Sequence, residues 1–206
     1  MARIFISHSS ANNAEALAVA DWLGRQGWND VFLDIDPQRG LVAGQRWQNA
    51  LKSAAARCEV VVFLLSPAWA NSRWCLAEFL LAKQMNKRIM GVLAEKTDIS
   101  ALPVEMTAEY QLVDLTAPGP SEQIGVEVDK KPVTVKFASD GLTRLRHGLQ
   151  VSGIDAGFFH WPPEDDPSRS PYPGLRPLDT EDAGIFFGRD GQIITGLDLV
   201  RRLRDA

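Results

Sequence analysis

Two hydrophobic rhythms alternate along the first 155 residues of the chain. "RIFIS" (3–7) is a β-branched and aromatic run that exits into the polar "SHSSANN", the pattern of a strand and its loop. From 14 to 26 the apolar residues Leu17, Ala18, Ala20, Trp22 and Leu23 fall at helical spacing, and Gly27 stops that helix. "VFLDI" (31–35) predicts a second strand, and "DPQRGLVAGQ" (36–45), with its Pro and Gly residues, a long loop. "RWQNALKSAAAR" (46–57) predicts a second helix. "EVVVFLLS" (59–66) is nearly all apolar, which suits a central parallel strand buried on both faces. "SRWCLAEFLLAKQMNKR" (72–88) predicts a third helix, "IMGVLA" (89–94) a fourth strand and "YQLVDL" (110–115) a fifth.

Strands that alternate with helices predict an α/β class with a parallel sheet. Five of them suit a flavodoxin-like three-layer sandwich in the order 2-1-3-4-5. In that order the winding reverses between strands 1 and 3, and ligands bind there, outside the carboxyl ends of the strands. The loops leaving those two strands are "SHSSANN" and "SPAWANSRWC". The second leads directly into the helix that carries Glu78. "IGVEVDKKPVTVKF" (124–137) alternates apolar and polar on both sides of "DKK", which predicts a β-hairpin inserted before a last helix at 140–153. A linker is expected over 156–170, where "HWPPEDDPSRSP" is rich in Pro and acid. The stretch 171–206 begins something new and is too short to own a core.

Composition narrows the class further. The 206 residues are 45% apolar and 23% charged, as in a globular domain, and the net charge of −4 disfavours nucleic acid as a partner. No apolar run approaches a membrane span, and "MARIFISHSS" lacks the apolar stretch of a signal peptide. The two cysteines, Cys58 and Cys75, have no metal-ligand spacing and read as reduced, buried thiols. No metal and a cytoplasmic location are the expectations.

Candidate chemistry centres on "NSRWCLAEF". Trp74 and Glu78 are an i,i+4 pair and share a helical face. On spacing alone, a core tryptophan beside a solvated glutamate is the commoner arrangement. Ser7, His8, Ser9 and Ser10 offer hydroxyls and N–H groups next to a helix start, which hold phosphate or ribose oxygens or simply cap the helix. His8 reads first as a loop residue and second as a substrate contact. Trp47 either anchors the second helix or stacks on a planar ligand, and Asp34 either caps its loop or meets substrate.

"FISHSS", "DIDPQRGLVAGQRW" and "WCLAE", in that order, together resemble a TIR domain over residues 1–155. The tail "PYPGLRPLDTEDAGIFFGRD" resembles the opening of a STAND-type NTPase of the AAA+ lineage, cut short in 171–206. No G-x-x-x-x-G-K-[ST] occurs, so this stretch is not expected to bind or hydrolyse ATP. The resemblance implies a TIR effector coupled to an NTPase switch, as in bacterial immune and antiphage signalling proteins. Such domains are either assembly modules or enzymes that hydrolyse or cyclise NAD+. In the catalytic kind a glutamate stands in a W-x-x-x-E region of the third helix, and Glu78 holds that position after Trp74.

The resemblance also implies NAD+ as substrate with no cofactor, and homo-oligomers formed through TIR–TIR contacts. The loop with Asp36, Arg39, Gly40 and Gly44 would be the assembly loop, and Trp47 the aromatic that contacts the dinucleotide. Basic residues common in the first loop of related enzymes are replaced here by Ser9 and Ser10. One carboxylate is chemically sufficient: nicotinamide leaves a pyridinium as a neutral group and needs no general acid, and the oxocarbenium-like transition state needs a stabilising charge. Two other flavodoxin-like readings are weighed against this one. A phosphoacceptor receiver needs acids where "SHSS" and Ser66 stand, and is rejected. A flavin-binding protein could use the hydroxyl-rich first loop.

Overall fold

The computed structural model describes residues 4–29, 31–33 and 58–154, and beyond them 162, 166–172, 174–179, 182, 196, 199–200 and 203. The expected second helix (46–57), Asp34, Trp47 and the loop with Asp36, Arg39, Gly40 and Gly44 lie outside the described residues, as does much of 156–206.

Strands β1 (Ile4–Ser7), β2 (Val31–Leu33), β3 (Val60–Leu65), β4 (Arg88–Leu93) and β5 (Val113–Asp114) form one sheet in the order β2-β1-β3-β4-β5. Every pairing is parallel, with Ile4 flanked by Val31 and Val60. The flavodoxin-like order is therefore as the sequence predicts. β3 is apolar at all six positions because it is buried on both faces.

Its alternate side chains feed two cores. On one face Val60, Val62 and Leu64 pack with Val19, Trp22 and Leu23 of α1 (Asn13–Arg25) and with Leu142, Leu145 and Leu149 of α5 (Ser139–Val151). On the other, Val61, Phe63 and Leu65 meet α2 (Pro67–Ala70), α3 (Arg73–Gln84) and α4 (Val104–Glu109) through Trp69, Phe79 and Met106. There Phe63 lies edge-on to Trp69 and Phe79 at ring distances of 5.9 and 5.7 Å.

α3 is shorter than predicted, ending at Gln84 rather than reaching Arg88. Asn86 adopts φ 54°, the Lys87 N–H bonds back to the Ala82 carbonyl, and Arg88 already pairs with Val60. The Lys87 ammonium turns inward and donates to the Cys58 carbonyl at 3.0 Å, which a final helical turn would forbid. α2 and α4 are short elements that the hydrophobic pattern did not announce.

The predicted hairpin is present as β6 (Ser121–Val128) and β7 (Lys131–Ala138), antiparallel and separate from the main sheet. Asp129 and Lys130 both take positive φ, 50° and 63°, the two-residue turn that matches strand twist. Ile124, Val135 and Phe137 bury against the α1 and α5 core. α5 approaches β5 so closely that a Cβ on Gly141 would meet the Asp114 carbonyl oxygen at 2.3 Å. Trp28 Nε1 donates to the Ile154 carbonyl at 3.0 Å, tying the end of α1 to the end of α5.

Candidate active site

The carboxyl edge of the sheet is where β1 ends in Ser7 and β3 runs into Ser66. Ser7 is 1% exposed, and its Oγ donates a hydrogen bond to Glu78 Oε2 on α3. Glu78 itself is half-buried. The carboxylate of α3 thus reaches the end of β1, at the reversal point of the sheet.

Local sequence explains how α3 is aimed. Ser72 caps it, its Oγ accepting the Cys75 N–H at 3.3 Å. Cys75, Phe79 and Ala82 form the buried stripe. Cys75 lies one turn before Glu78, and its Sγ donates to the His8 carbonyl at 3.6 Å. Together, Cys75 and Glu78 grip two consecutive residues of the β1 exit. Burial pushes the Cys75 thiol up to about 11, and the charge of Glu78 adds to the rise. It is a neutral S–H donor rather than a nucleophile.

The other first-loop residues divide. His8 Nε2 donates to Asn13 Oδ1 at 3.0 Å. Ser9 Oγ accepts the Ala11 N–H at 3.4 Å and caps the 3-10 turn Ser10–Asn12, while Ser10 is exposed. Trp74 is 62% exposed, so it is not a core anchor; Trp69, 1% exposed, fills that place.

A second polar centre on the same edge escaped the sequence reading. Asn12 and Ser66 are both fully buried. Ser66 Oγ donates to Asn12 Oδ1 at 2.6 Å and accepts the Trp69 N–H at 3.0 Å. Asn12 Nδ2 donates to Glu95 Oε1 at 2.6 Å. The available signal was the "SP" start of α2, a helix-cap pattern; nothing in the sequence marked Glu95. Among the described residues no group of three or more His, Cys, Asp or Glu could hold a metal ion, and no helix is long and apolar enough to cross a membrane.

A family model described as "TIR domain" matches residues 4–127. The chain belongs to the TIR family. The match ends inside β6, although β7 and α5 complete the same core. Among solved structures, this TIR domain is similar to the TIR domain of the Toll-related receptor TRR-2 from Hydra magnipapillata, at 13% identity and a TM-score of 0.47, over 55% of this chain and 84% of that one. It is also similar to the TIR domains in the activated Roq1 resistosome that directly recognises the pathogen effector XopQ, at 20% identity and a TM-score of 0.35, over 43% of this chain and 55% of that one. No curated protein matches the chain.

Proposed function

We propose that this TIR domain is an NAD+ glycohydrolase with Glu78 as its catalytic carboxylate, the effector of a bacterial immune STAND protein switched on by self-association. The observation that carries the reading is the Ser7–Glu78 hydrogen bond, which holds a carboxylate at the sheet's reversal point. In the reaction the bond between ribose C1′ and the nicotinamide nitrogen breaks, and its electron pair stays on that nitrogen. Water adds to C1′ and releases a proton, giving ADP-ribose; an internal nucleophile in place of water gives a cyclic isomer. The developing positive charge on the ribose is what Glu78 stabilises, most strongly in a site that excludes water.

Ser7 is a positioning residue in this scheme, fixing one carboxylate oxygen. Exposed Trp74, one turn before Glu78, is suited to stack on the nicotinamide or ribose face. His8, Ser9 and Ser10 supply polar groups for the diphosphate. Asp34 and Trp47 complete the dinucleotide contacts, with Asp36, Arg39, Gly40 and Gly44 in the assembly loop.

The test is nicotinamide release from NAD+ by crowded or tethered protein. Glu78→Gln should lower it at least about 100-fold; release at the wild-type rate would show the assignment to be wrong. A second reading, a non-catalytic assembly module, draws on the exposed Trp74, Leu76 and Leu80 of α3. It predicts no NAD+ loss even in concentrated samples.

A further inference from the structure

The two outer edges of the hairpin are built differently. In a two-residue hairpin the pair flanking the turn, here Val128 and Lys131, exchanges hydrogen bonds, and the pairs alternate from there. The residues that turn their N–H and C=O outward are therefore Ser121, Gln123, Gly125 and Glu127 on β6, and Pro132, Thr134, Lys136 and Ala138 on β7. An independent contact agrees with this parity: the Ala138 N–H points away from β6 and bonds the Leu115 carbonyl at 2.8 Å.

The β7 edge is thus closed at both ends. Pro132 lacks a donor and Ala138 is already used, with Lys136 between them, the devices that blunt an edge strand. The β6 edge has no Pro, and its one charged outward residue is Glu127. Gln123, Gly125 and Glu127 are exposed, and no backbone hydrogen bond outside the helices and strands, among the described residues, uses their N–H groups. A Cβ built on Gly125 meets nothing within 4 Å.

We propose that β6 pairs antiparallel with β6 of a second copy of this chain, joining two hairpins into one four-stranded sheet about a two-fold axis at Gly125. The occupant is argued from self-complementarity. Centred on Gly125, the pairing sets Gln123 opposite Glu127 of the second copy, twice by symmetry, so each amide donates to a carboxylate. Each facing outward pair exchanges two backbone bonds. On the other side of the sheet Ile124 and Val126 already pack against this chain's own α1 and α5 core, so the pairing is read from the backbone and the outward face alone. An arbitrary strand would satisfy the backbone groups but not this side-chain pairing. The inference rests on hairpin geometry and is independent of the NAD+ assignment.

Sedimentation of the 206-residue chain across a concentration series tests it. The wild type should show a monomer–dimer equilibrium. Gln123→Glu places carboxylates opposite one another and should weaken it about tenfold, whereas Gln123→Lys should tighten it. Gly125→Pro removes an N–H that the hairpin itself does not use and should leave a folded monomer, checked by circular dichroism. Because the two Gln123 variants keep the strand intact, the test survives a failure of Gly125→Pro to fold. A monomer throughout the series, or a dimer that the two charge variants shift in the same direction or not at all, would overturn the proposal.

Discussion

Two polar centres lie on the carboxyl edge of the sheet, and they differ in how many buried groups stand beneath the carboxylate of each. Around Asn12, two buried members bond each other, and the hydrogen bonds run in a chain from the Trp69 N–H through Ser66 and Asn12 to Glu95, whose own side chain is exposed. Such a network locks the exits of β1, β3 and β4 together, and its groups are occupied with one another. Around Ser7, the buried hydroxyl delivers its bond to a carboxylate that is only half-buried and lies beside an exposed indole. Two buried polar residues bonded to each other make the first a clamp; a single buried hydroxyl beneath a carboxylate flanked by an exposed indole is the arrangement proposed above for the ligand site.

The sharpest way to break that distinction is to swap the readouts. Glu78→Gln should cut nicotinamide release at least about 100-fold while moving Tm by no more than about 2 °C. Asn12→Ala should do the reverse. Leaving the buried Ser66 hydroxyl without its acceptor should cost about 2 kcal/mol, lowering Tm by about 4–8 °C in thermal unfolding. Ser7→Ala falls between them, since the carboxylate keeps its charge and loses its orientation. About a tenfold fall in turnover is expected, from a hydrogen bond worth roughly 1–1.5 kcal/mol.

The smallest effect is an alkaline one. Burial raises both thiols from 9.0 to about 11, Cys58 against the opposing pull of the Lys87 ammonium and Cys75 with help from Glu78. Their contribution to stability is complete below pH 9 and is lost as pH rises toward 11, because the unfolded chain gives up its thiol protons first. By pH 10 the loss should be about 1 kcal/mol per thiol. Urea unfolding from pH 8 to 10 should therefore show a shallower decline in the Cys58→Ala, Cys75→Ala double variant than in the wild type.

What the sequence made legible follows from the range of the interactions. Sheet order was readable because β3 is apolar throughout and its neighbours alternate with helices, both local patterns. The position of Glu78 at the sheet's carboxyl edge was readable because its helix follows the loop from β3. Its donor was not: Ser7 is 71 positions away, and Asn12 and Glu95 are 83 apart, so no spacing rule connects them. Ser7 stood in the sequence as one hydroxyl among several near a ligand, whereas it is buried beneath the carboxylate. The place of Trp69 rather than Trp74 in the core was not legible because Trp69 stands in what read as a loop. Within α3 the buried stripe runs through Cys75, Phe79 and Ala82, which leaves Trp74 beside it and exposed. The early end of α3 was present as Asn86, a residue that tolerates positive φ, inside what looked like helix.

The central claim is that Glu78 acts on the transition state rather than on binding or folding. Steady-state kinetics of NAD+ cleavage by Glu78→Gln beside the wild type tests it most directly. The account predicts a fall in kcat of at least about 100-fold with KM within about threefold, because the amide keeps the hydrogen-bonding shape and loses the charge. An unchanged kcat, or a loss carried entirely by KM, would contradict it.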